Sequence, residues 1–548
     1  MKLIRLKLLS DFRGLKKGFE ITFDDNKDTH NNLLEPICFV GLNGSGKSNI
    51  LEAVSEIFYF LENFSKAKKS DIKKFSTGFG FEIEYVLSDT VYNQNLDDEQ
   101  PAAKENIYIH IIKKSDNPPV AYARYENYEY VNETPEGMLS FLPTQIIGYS
   151  SGMNELISNP FLKMDFEYLA DFNKLTKKDS AGSLDINRMF YMDYDLNKLI
   201  TICNFLFDEN VDGSEHDLGV KNIEPLKREI GIEALHSFSI SIRLRHIDDK
   251  NPIKLPSELN MAIDRLEKCA TYSREILGET KKGKYKEHYL SFWVDREMKQ
   301  AFKHHFGSAN RLFRDLYFLR LLNTYLVGGD TQREVKNSKI GTNISTMLPK
   351  YEASKRLFYV SDIALKKRGV NKLVYYKQLS DGEHQFLHVI GAMILLDSDG
   401  VLFLLDEPET HFNPEWRSQF VSILNECMET KDQRREQEVI LTSHSPFIVS
   451  DCKPEKVFRF FRDKKTQKVD FEQPNFNTYG ASINQITSKL FKKKETISNL
   501  VLEEFKTIKN RFDNSELNKE EASAEMRRFG ESIEKMLMEK YFDGEANK

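Results

Sequence analysis

Gly41-Leu-Asn-Gly-Ser-Gly-Lys47-Ser48 decides how this chain is read, and Val401-Leu-Phe-Leu-Leu-Asp406-Glu407-Pro408-Glu409 completes the reading. The first stretch follows the apolar run PICFV (36–40) and precedes Ile50, Leu51, Val54, Ile57, Phe58, Leu61 and Phe64, which recur at helical spacing. Strand, glycine loop and helix in that order match a phosphate-binding loop of the G-x-x-x-x-G-K-[ST] type. Glycine takes positive φ without steric cost, so the loop amides are expected to curl around phosphates. Gly41, Asn43, Gly44, Ser45, Gly46, Lys47, Ser48 and Asn49 are the expected contacts. Lys47 is expected to reach the β and γ phosphates, Ser48 to ligate Mg2+, and the helix N-terminus to face the same anion.

Residues 401–405 form a continuous apolar run of the kind buried in a parallel sheet. Asp406 then stands at a strand end, where its carboxylate would hold Mg2+ through water, and Glu407 is placed to polarise an attacking water. Leu379-Ser380-Asp381-Gly382-Glu383 opens an apolar helix, with Ser380 lying 26 residues before Asp406. Its Ser-x-Gly turn makes a second helix N-terminus suited to a γ-phosphate, with Ser380 and Gly382 as contacts. His444 follows Glu407 by 37 residues and ends the strand EVILTS (438–443), where a γ-phosphate sensor is needed. Lys47, Glu407 and His444 are therefore the expected catalytic residues. Gln145, just before IIGYSSG, reads by itself as a surface glutamine. Arg13 reads by itself as a salt-bridged surface residue.

The 548 residues carry 78 Lys and Arg against 84 Asp and Glu, a formal charge of −6. Hydrophobic residues at 40% and charged residues at 30% describe a globular chain with material for large cores, not a disordered one. Five cysteines without a C-x-x-C pair fit a reducing cytoplasm and argue against a zinc ribbon. The start, MKLIRLKLLSDFR, lacks the uninterrupted apolar stretch of a signal peptide, and no run approaches the length needed to cross a bilayer. The expectation is a cytoplasmic protein without membrane contact. Mild acidity argues against non-specific coating of nucleic acid, but a local DNA contact stays open through Lys366 to Arg368, Arg434–Arg435 and Lys492 to Lys494.

Along the chain, alternation around Ile4 and Phe19 predicts strands, and alternating segments around Phe81, Ile107 and 121–131 predict an antiparallel sheet beside the first unit. Residues 1–150 and 346–475 are read as two halves of one α/β head. Residues 151–345 are read as a mostly helical insertion, and 476–548 as a helical tail. The tail carries two apolar stripes, Ile497, Val501, Phe505, Ile508 and Phe512, then Met526, Phe529, Ile533 and Met536. Packing onto the head is their expected role.

Phosphate loop, LSDGE, DEPE and TSH in this order resemble the ATPase head of the ABC superfamily. The 333 residues between Lys47 and Ser380 far exceed the spacing of a transporter head, so the split head is similar to the SMC, RecF and OLD-type group. Resemblance to these heads implies Gln145 as a further Mg2+ contact and Arg13 as a neighbour of the nucleotide. Without heptads the insertion is no SMC-like arm, and no acidic Toprim-type cluster follows His444. The segments MKLIRLKLLSDFRGL, GLNGSGKSNILEA, IIGYSSGMNE, LSDGEHQF and YGASINQI resemble restriction-system-associated AAA ATPases, a neighbourhood that includes the ATPase subunits of Septu-type anti-phage systems. That resemblance implies ATP and Mg2+ as cofactors and a head-to-tail homodimer or higher oligomer. It also implies a defence role exercised through an HNH-type nuclease partner. A RecF-like repair ATPase and a self-contained ATP-gated nuclease toxin are the alternatives. Asn413 stands where the superfamily usually has an aspartate.

Overall fold

The computed structural model describes all residues except 25–33, 77, 89–90, 92–105, 126–127, 133, 153–155, 179–187, 209–220, 246–254, 281–282, 429–435, 464, 494–496 and 545–548. Met153 to Glu155, Arg434, Arg435, Lys494 and most of the loop 88–106 therefore lie outside the described residues.

Seven strands form the sheet that carries the phosphate loop. Their spatial order is Val469–Glu472, Val457–Arg462, Ile37–Gly41, Glu438–Ser443, Val401–Asp406, Gln145–Ser150 and Met189–Tyr191. Every neighbouring pair is parallel except the hairpin Val457–Arg462/Val469–Glu472 at one edge. Strands Val401–Asp406 and Glu438–Ser443 are buried along their whole length, as their unbroken apolar character requires of a sheet covered on both faces. The helix Lys47–Ser65 crosses the strands Ile37–Gly41, Glu438–Ser443 and Val401–Asp406. It buries the whole expected stripe from Ile50 to Phe64, each such side chain contributing about 1.5–3 kcal/mol.

Parallel register aligns the carboxyl ends of these strands. Asp406 lies beside Ser150 on one side and Thr442 on the other, and Ser443 lies beside Val40. The loops that follow all open on one edge, where ligands bind in open α/β sheets.

The alternating N-terminal segments form a separate antiparallel sheet. Its order is Glu20–Thr22, Lys2–Leu8, Phe81–Ser88, Asn106–Lys113, Val120–Tyr125 and Tyr128–Asn132.

Among the described residues the stretch 151–345 is mostly helical, as expected, but it also carries strands outside that expectation. Three of its strands, Tyr272–Thr280, Gly283–Trp293 and Ile232–Arg245, join Phe358–Lys367 and Val374–Tyr375 in a third, antiparallel sheet. The cause is a period of two along Ile232–Arg245, where buried Phe238, Ile240 and Ile242 alternate with Ser237, Ser239 and Ser241. The apolar face meets Phe302 of the helix Arg296–Phe306 through Phe238 and Phe292. The sheets also cut across the boundaries expected at 150 and 345. Met189–Tyr191 extends the central sheet, and Phe358–Lys367 belongs to the third.

The tail helices Asn499–Asp513, Lys519–Met526 and Ile533–Phe542 bury a small core of their own, Phe505, Ile508, Leu517, Ala522, Met526 and Phe542. The expected second stripe is only partly buried. Met526 is inside, whereas Ile533 and Met536 are about half exposed (51% and 49%), because Lys535 takes the inward position of that turn.

The edge hairpin holds the phosphate loop in shape. Phe458, Phe460 and Phe471 interlock with Phe39 and Phe23 at centroid separations of 5.1–6.2 Å. Arg462 Nε donates to Gly44 O at 2.6 Å. A Cβ on Gly41 would stand 2.3 Å from Phe460 O, and one on Gly46, at φ +106, would stand 2.7 Å from Val469. Gly46→Ala is thus expected to lower unfolding stability by about 1–3 kcal/mol, with Val469→Ala restoring part of the loss. Gly44→Ala, at φ +74 in open space, is expected to lose less. Urea denaturation of the three variants measures the order, and equal losses at Gly44 and Gly46 would remove the hairpin contact from the explanation.

Candidate functional site

Four strand ends and one helix start enclose a cavity of about 370 Å3. Asn43, Gly44, Ser45, Gly46, Lys47, Ser48 and Asn49 line it, with Asp406 and Glu407 opposite. Ser150, Ser151, Gly152 and Arg462 complete the wall. Asn43 to Asn49 are therefore brought together with Asp406 and Glu407 across more than 350 residues of chain, whereas Gly41 and His444 lie outside the lining.

Lys47 is buried, and its ammonium donates to Gly41 O at 2.9 Å and Leu42 O at 3.4 Å. It also lies 2.9 Å from His444 Nε2. Burial lowers its pKa, against the opposing pull of Glu407, Asp406 and Glu409. His444 Nε2 is also 3.2 Å from Glu407 Oε1. One ring nitrogen accepts from Lys47 or donates to Glu407, so the proton on this imidazole decides which partner it serves. The hydrogen bond from His444 is the main cause that holds the Glu407 carboxyl below its usual range, despite partial burial. Glu407 occupies the left-handed region at φ 51, an uncommon and costly conformation for a residue with a Cβ. Its amide is fixed by Thr442 Oγ1 at 3.0 Å and its carbonyl accepts from Thr410 Oγ1 at 3.0 Å.

Asp406 is the buried charge of the site. Ser48 Oγ donates to its Oδ1 at 2.9 Å, Thr442 Oγ1 to the same oxygen at 2.7 Å, and Ser150 Oγ to Oδ2 at 3.4 Å. Burial raises its pKa, and the Thr442 and Ser48 hydrogen bonds counter only part of that. Ser48 Oγ and the Asp406 carboxylate are hard oxygen donors of the kind Mg2+ takes, and Mg2+ in such sites uses one or two protein ligands plus substrate phosphates and water. Among the described residues no group of three or more His, Cys, Asp or Glu could hold a metal ion. The loop also fits a phosphate. Ser45 Oγ is buried without a hydrogen-bond partner, and Lys47 spends its donors on main-chain carbonyls.

Gln145 is a correction. It pairs with Val401 at the amino end of its strand, five residues before Ser150, so about 17 Å of extended chain separates it from the carboxylate edge. Ser150 and Ser151 occupy the place expected of it. Arg13 follows its reading as a salt-bridged residue, pairing with buried Glu52 Oε2 at 2.6 Å outside the cavity wall.

Ser380 and Gly382 do not line the cavity around Lys47. Ser380 is exposed and caps the helix Asp381–Leu395, its Oγ accepting from Glu383 N at 3.3 Å while Glu383 Oε2 accepts from Ser380 N at 2.8 Å. This capping box satisfies two orphan donors at once. Gln385 ties the same helix to the site. Its Nε2 donates to Glu407 O at 3.3 Å and its Oε1 accepts from His411 N at 2.8 Å. Asn413 caps the helix Pro414–Met428 through Trp416 N at 2.7 Å, as its place before Pro414 predicts.

Arg462 lies in no motif, and Thr442, Glu409 and Gln385 lie within TSH, DEPE and LSDGEHQF without a role read for them there. Glu409 lies within DEPE, yet its buried carboxylate, pushed up by desolvation, serves to accept from Ser443 Oγ and from His444 N at 3.3 Å. It positions the strand end that carries His444.

Asp406 tests the electrostatics directly. A carboxyl whose folded pKa is raised stabilises the fold below that pKa, and the contribution is lost as pH rises through it. Asp406→Asn keeps an acceptor for Ser48 and Thr442 and presents a donor to Ser150. It is therefore expected to raise the melting temperature of nucleotide-free protein at neutral pH, with the gain shrinking as the medium is acidified. A lower melting temperature at neutral pH would contradict the desolvation account.

Comparison with known proteins gives two likenesses. Residues 285–450 match a family model described as an AAA domain, putative AbiEii toxin, of a type IV toxin–antitoxin system. That stretch includes LSDGE, DEPE and TSH but not the phosphate loop. The chain is also similar to protein ea59 of Escherichia phage lambda, 23% identical over 117 residues, which is 21% of each protein. The chain thus spans about a fifth of the length of that relative. No helix among the described residues is long and apolar enough to cross a membrane. Residues 285–450 are therefore similar to an AAA-type NTPase domain of a putative toxin of a toxin–antitoxin system, and the chain shares a further likeness with a phage protein.

Proposed function

We propose that this protein is an ATP-hydrolysing switch that acts in a toxin–antitoxin or anti-phage setting, built on a split ABC-type head. The observation that carries the reading is the 2.9 Å contact between Ser48 Oγ and Asp406 Oδ1, with Lys47 and Glu407 lining the same cavity and His444 in contact with both of them. Lys47, Ser45 and the loop amides bind the phosphates of ATP. Ser48 and Asp406 hold Mg2+, which when bound neutralises charge on the β and γ phosphates. Glu407, kept ionised by His444, takes the proton of the attacking water, and His444 then stands free to contact the γ-phosphate side. Such a site works by positioning and charge stabilisation.

The helix start at Ser380 is exposed and outside the cavity, which supports closure by a second copy, with ATP between two heads. Gln385 would then relay that closure to the backbone of Glu407. Likeness to a putative toxin domain supports an output that belongs to the chain itself. Control of an HNH-type nuclease subunit is the second reading, supported by the LSDGEHQF and YGASINQI segments.

Lys47→Ala is expected to abolish ATP binding in calorimetry. Glu407→Gln should bind ATP, hydrolyse it about 10²- to 10⁴-fold more slowly, and sediment as a larger species with ATP than without. An unchanged sedimentation profile would count against the ATP-bridged dimer, and wild-type turnover against Glu407 as the base. Purified protein that degrades nucleic acid with ATP alone selects the toxin reading; degradation only with a co-purifying subunit selects the partner.

A further inference from the structure

A second cavity, about 430 Å3, shares no lining residue with the one around Lys47. Tyr194, Tyr359 and Tyr375 line it together with Lys198, Lys377 and Asp362. Lys198 Nζ lies 4.7 Å from the ring centroid of Tyr194 and 5.5 Å from that of Tyr359, while pairing with Asp195 at 2.8 Å. Tyr194 and Tyr375 leave 46% and 44% of their surface open. Asp362 sits at φ 53, and the pairing of its strand slips beside Ser237 and Ser239. Irregular backbone of this kind concentrates at binding sites.

Two features extend from the cavity. The first is the face of the third sheet opposite Phe238, Ile240 and Ile242. Cross-strand register places Tyr359, Ser241, Tyr289 and Arg274 in one row and Ser361, Ser239, Ser291 and Tyr272 in the next. Trp293, opposite Ser237, continues the face, and Trp293 and Tyr272 are 65% and 53% exposed. The second is the hairpin that joins Phe358–Lys367 to Val374–Tyr375. It carries exposed Lys366 and Lys372, and exposed Lys377 follows its second strand. Lys367 is paired with Glu383, and Arg368 lies 3.7 Å from Glu233.

We propose that this cavity takes a nucleotide unit, its base against Tyr359 and Tyr375 and its phosphate on Lys377 and the hairpin lysines. Aromatic rings stack on the flat face of any base, and neighbouring cations track the backbone. The volume falls in the range of small-molecule sites. A free mononucleotide and a single strand of nucleic acid share this chemistry, and the aromatic and serine rows that run on to Tyr272 and Trp293 favour the strand. The cavity adjoins the helix that starts at Ser380. The ring of Tyr376 lies 4.6 Å and that of Tyr194 5.5 Å from His384, and Tyr375 N donates to Gln378 Oε1 at 2.8 Å. Occupancy therefore bears on the placement of Ser380. This coupling rests on the ATPase reading, whereas binding itself does not.

Fluorescence anisotropy of 5′-fluorescein-labelled dT12 tests the site in the full chain carrying Lys47→Ala, so that the phosphate loop contributes nothing. Saturable binding that weakens with salt is expected. Tyr359→Ala and Tyr375→Ala should each weaken it about tenfold, Tyr375→Phe should restore it, and Lys377→Glu should reduce the salt dependence. Displacement by unlabelled dT12 alone assigns the cavity to a strand, and displacement by uridine monophosphate at similar concentration assigns it to a free nucleotide. No binding of either, or tyrosine variants that bind like the parent, would overturn the proposal. Failure here leaves ATP binding at Lys47 intact, and the two readings are separated by calorimetry of the chain without Lys47→Ala.

Discussion

One buried carboxylate organises this molecule. Asp406 loses its hydration at the end of a fully buried strand, and a bare charge there would be costly. Hydroxyls from three other segments, Ser48, Ser150 and Thr442, close around it. Those segments are held in place only because the strands that precede them run parallel and in register. The sheet thus exists in the form that puts four strand ends together, and the hydroxyl shell offsets part of the desolvation.

Around this charge the site is built to be tense. Lys47 is buried, lowered in pKa and turned onto backbone carbonyls, and Glu407 is bent into a left-handed conformation. Each feature is unfavourable alone and is imposed by neighbours: the hairpin from Val457 that presses on Gly41 and Gly46, and Thr442 that pins the Glu407 amide. A polyphosphate ligand would relieve the first by giving Lys47 and the Ser45 hydroxyl an anion to serve. The helix from Asp381 is joined to the backbone of Glu407 by Gln385, so a solvent-exposed helix start and the acid end of the site belong to one connected element.

The long stretch between the motifs is more than a spacer. Its helices pack on one face of a sheet whose other face is serine- and tyrosine-rich, and two strands of that sheet are supplied from beyond residue 357. The central seven-stranded sheet and this third sheet therefore exchange segments in both directions. The tail helices bury a separate small core.

By itself the sequence determined the local chemistry: a glycine loop that only positive φ can shape, an acid pair after an apolar run and a helix start at Ser380. Such features are encoded within a few residues, by sterics and hydrogen bonding along the chain. Tertiary structure alone decided what lies across from them. Gln145 shares a strand with Ser150, yet the direction of that strand carries it to the wrong edge of the sheet, and no local pattern states which end of a strand faces the loop. Thr442, Arg462 and Gln385 became site residues through strand order and helix packing. The strands at 232–245 and 272–293 were read as part of a helical region because their half-buried alternation acquires meaning only when a partner strand arrives from far along the chain. Contacts between residues distant in sequence depend on the register and order of strands, and those are settled by burying one shared core, not by any single segment.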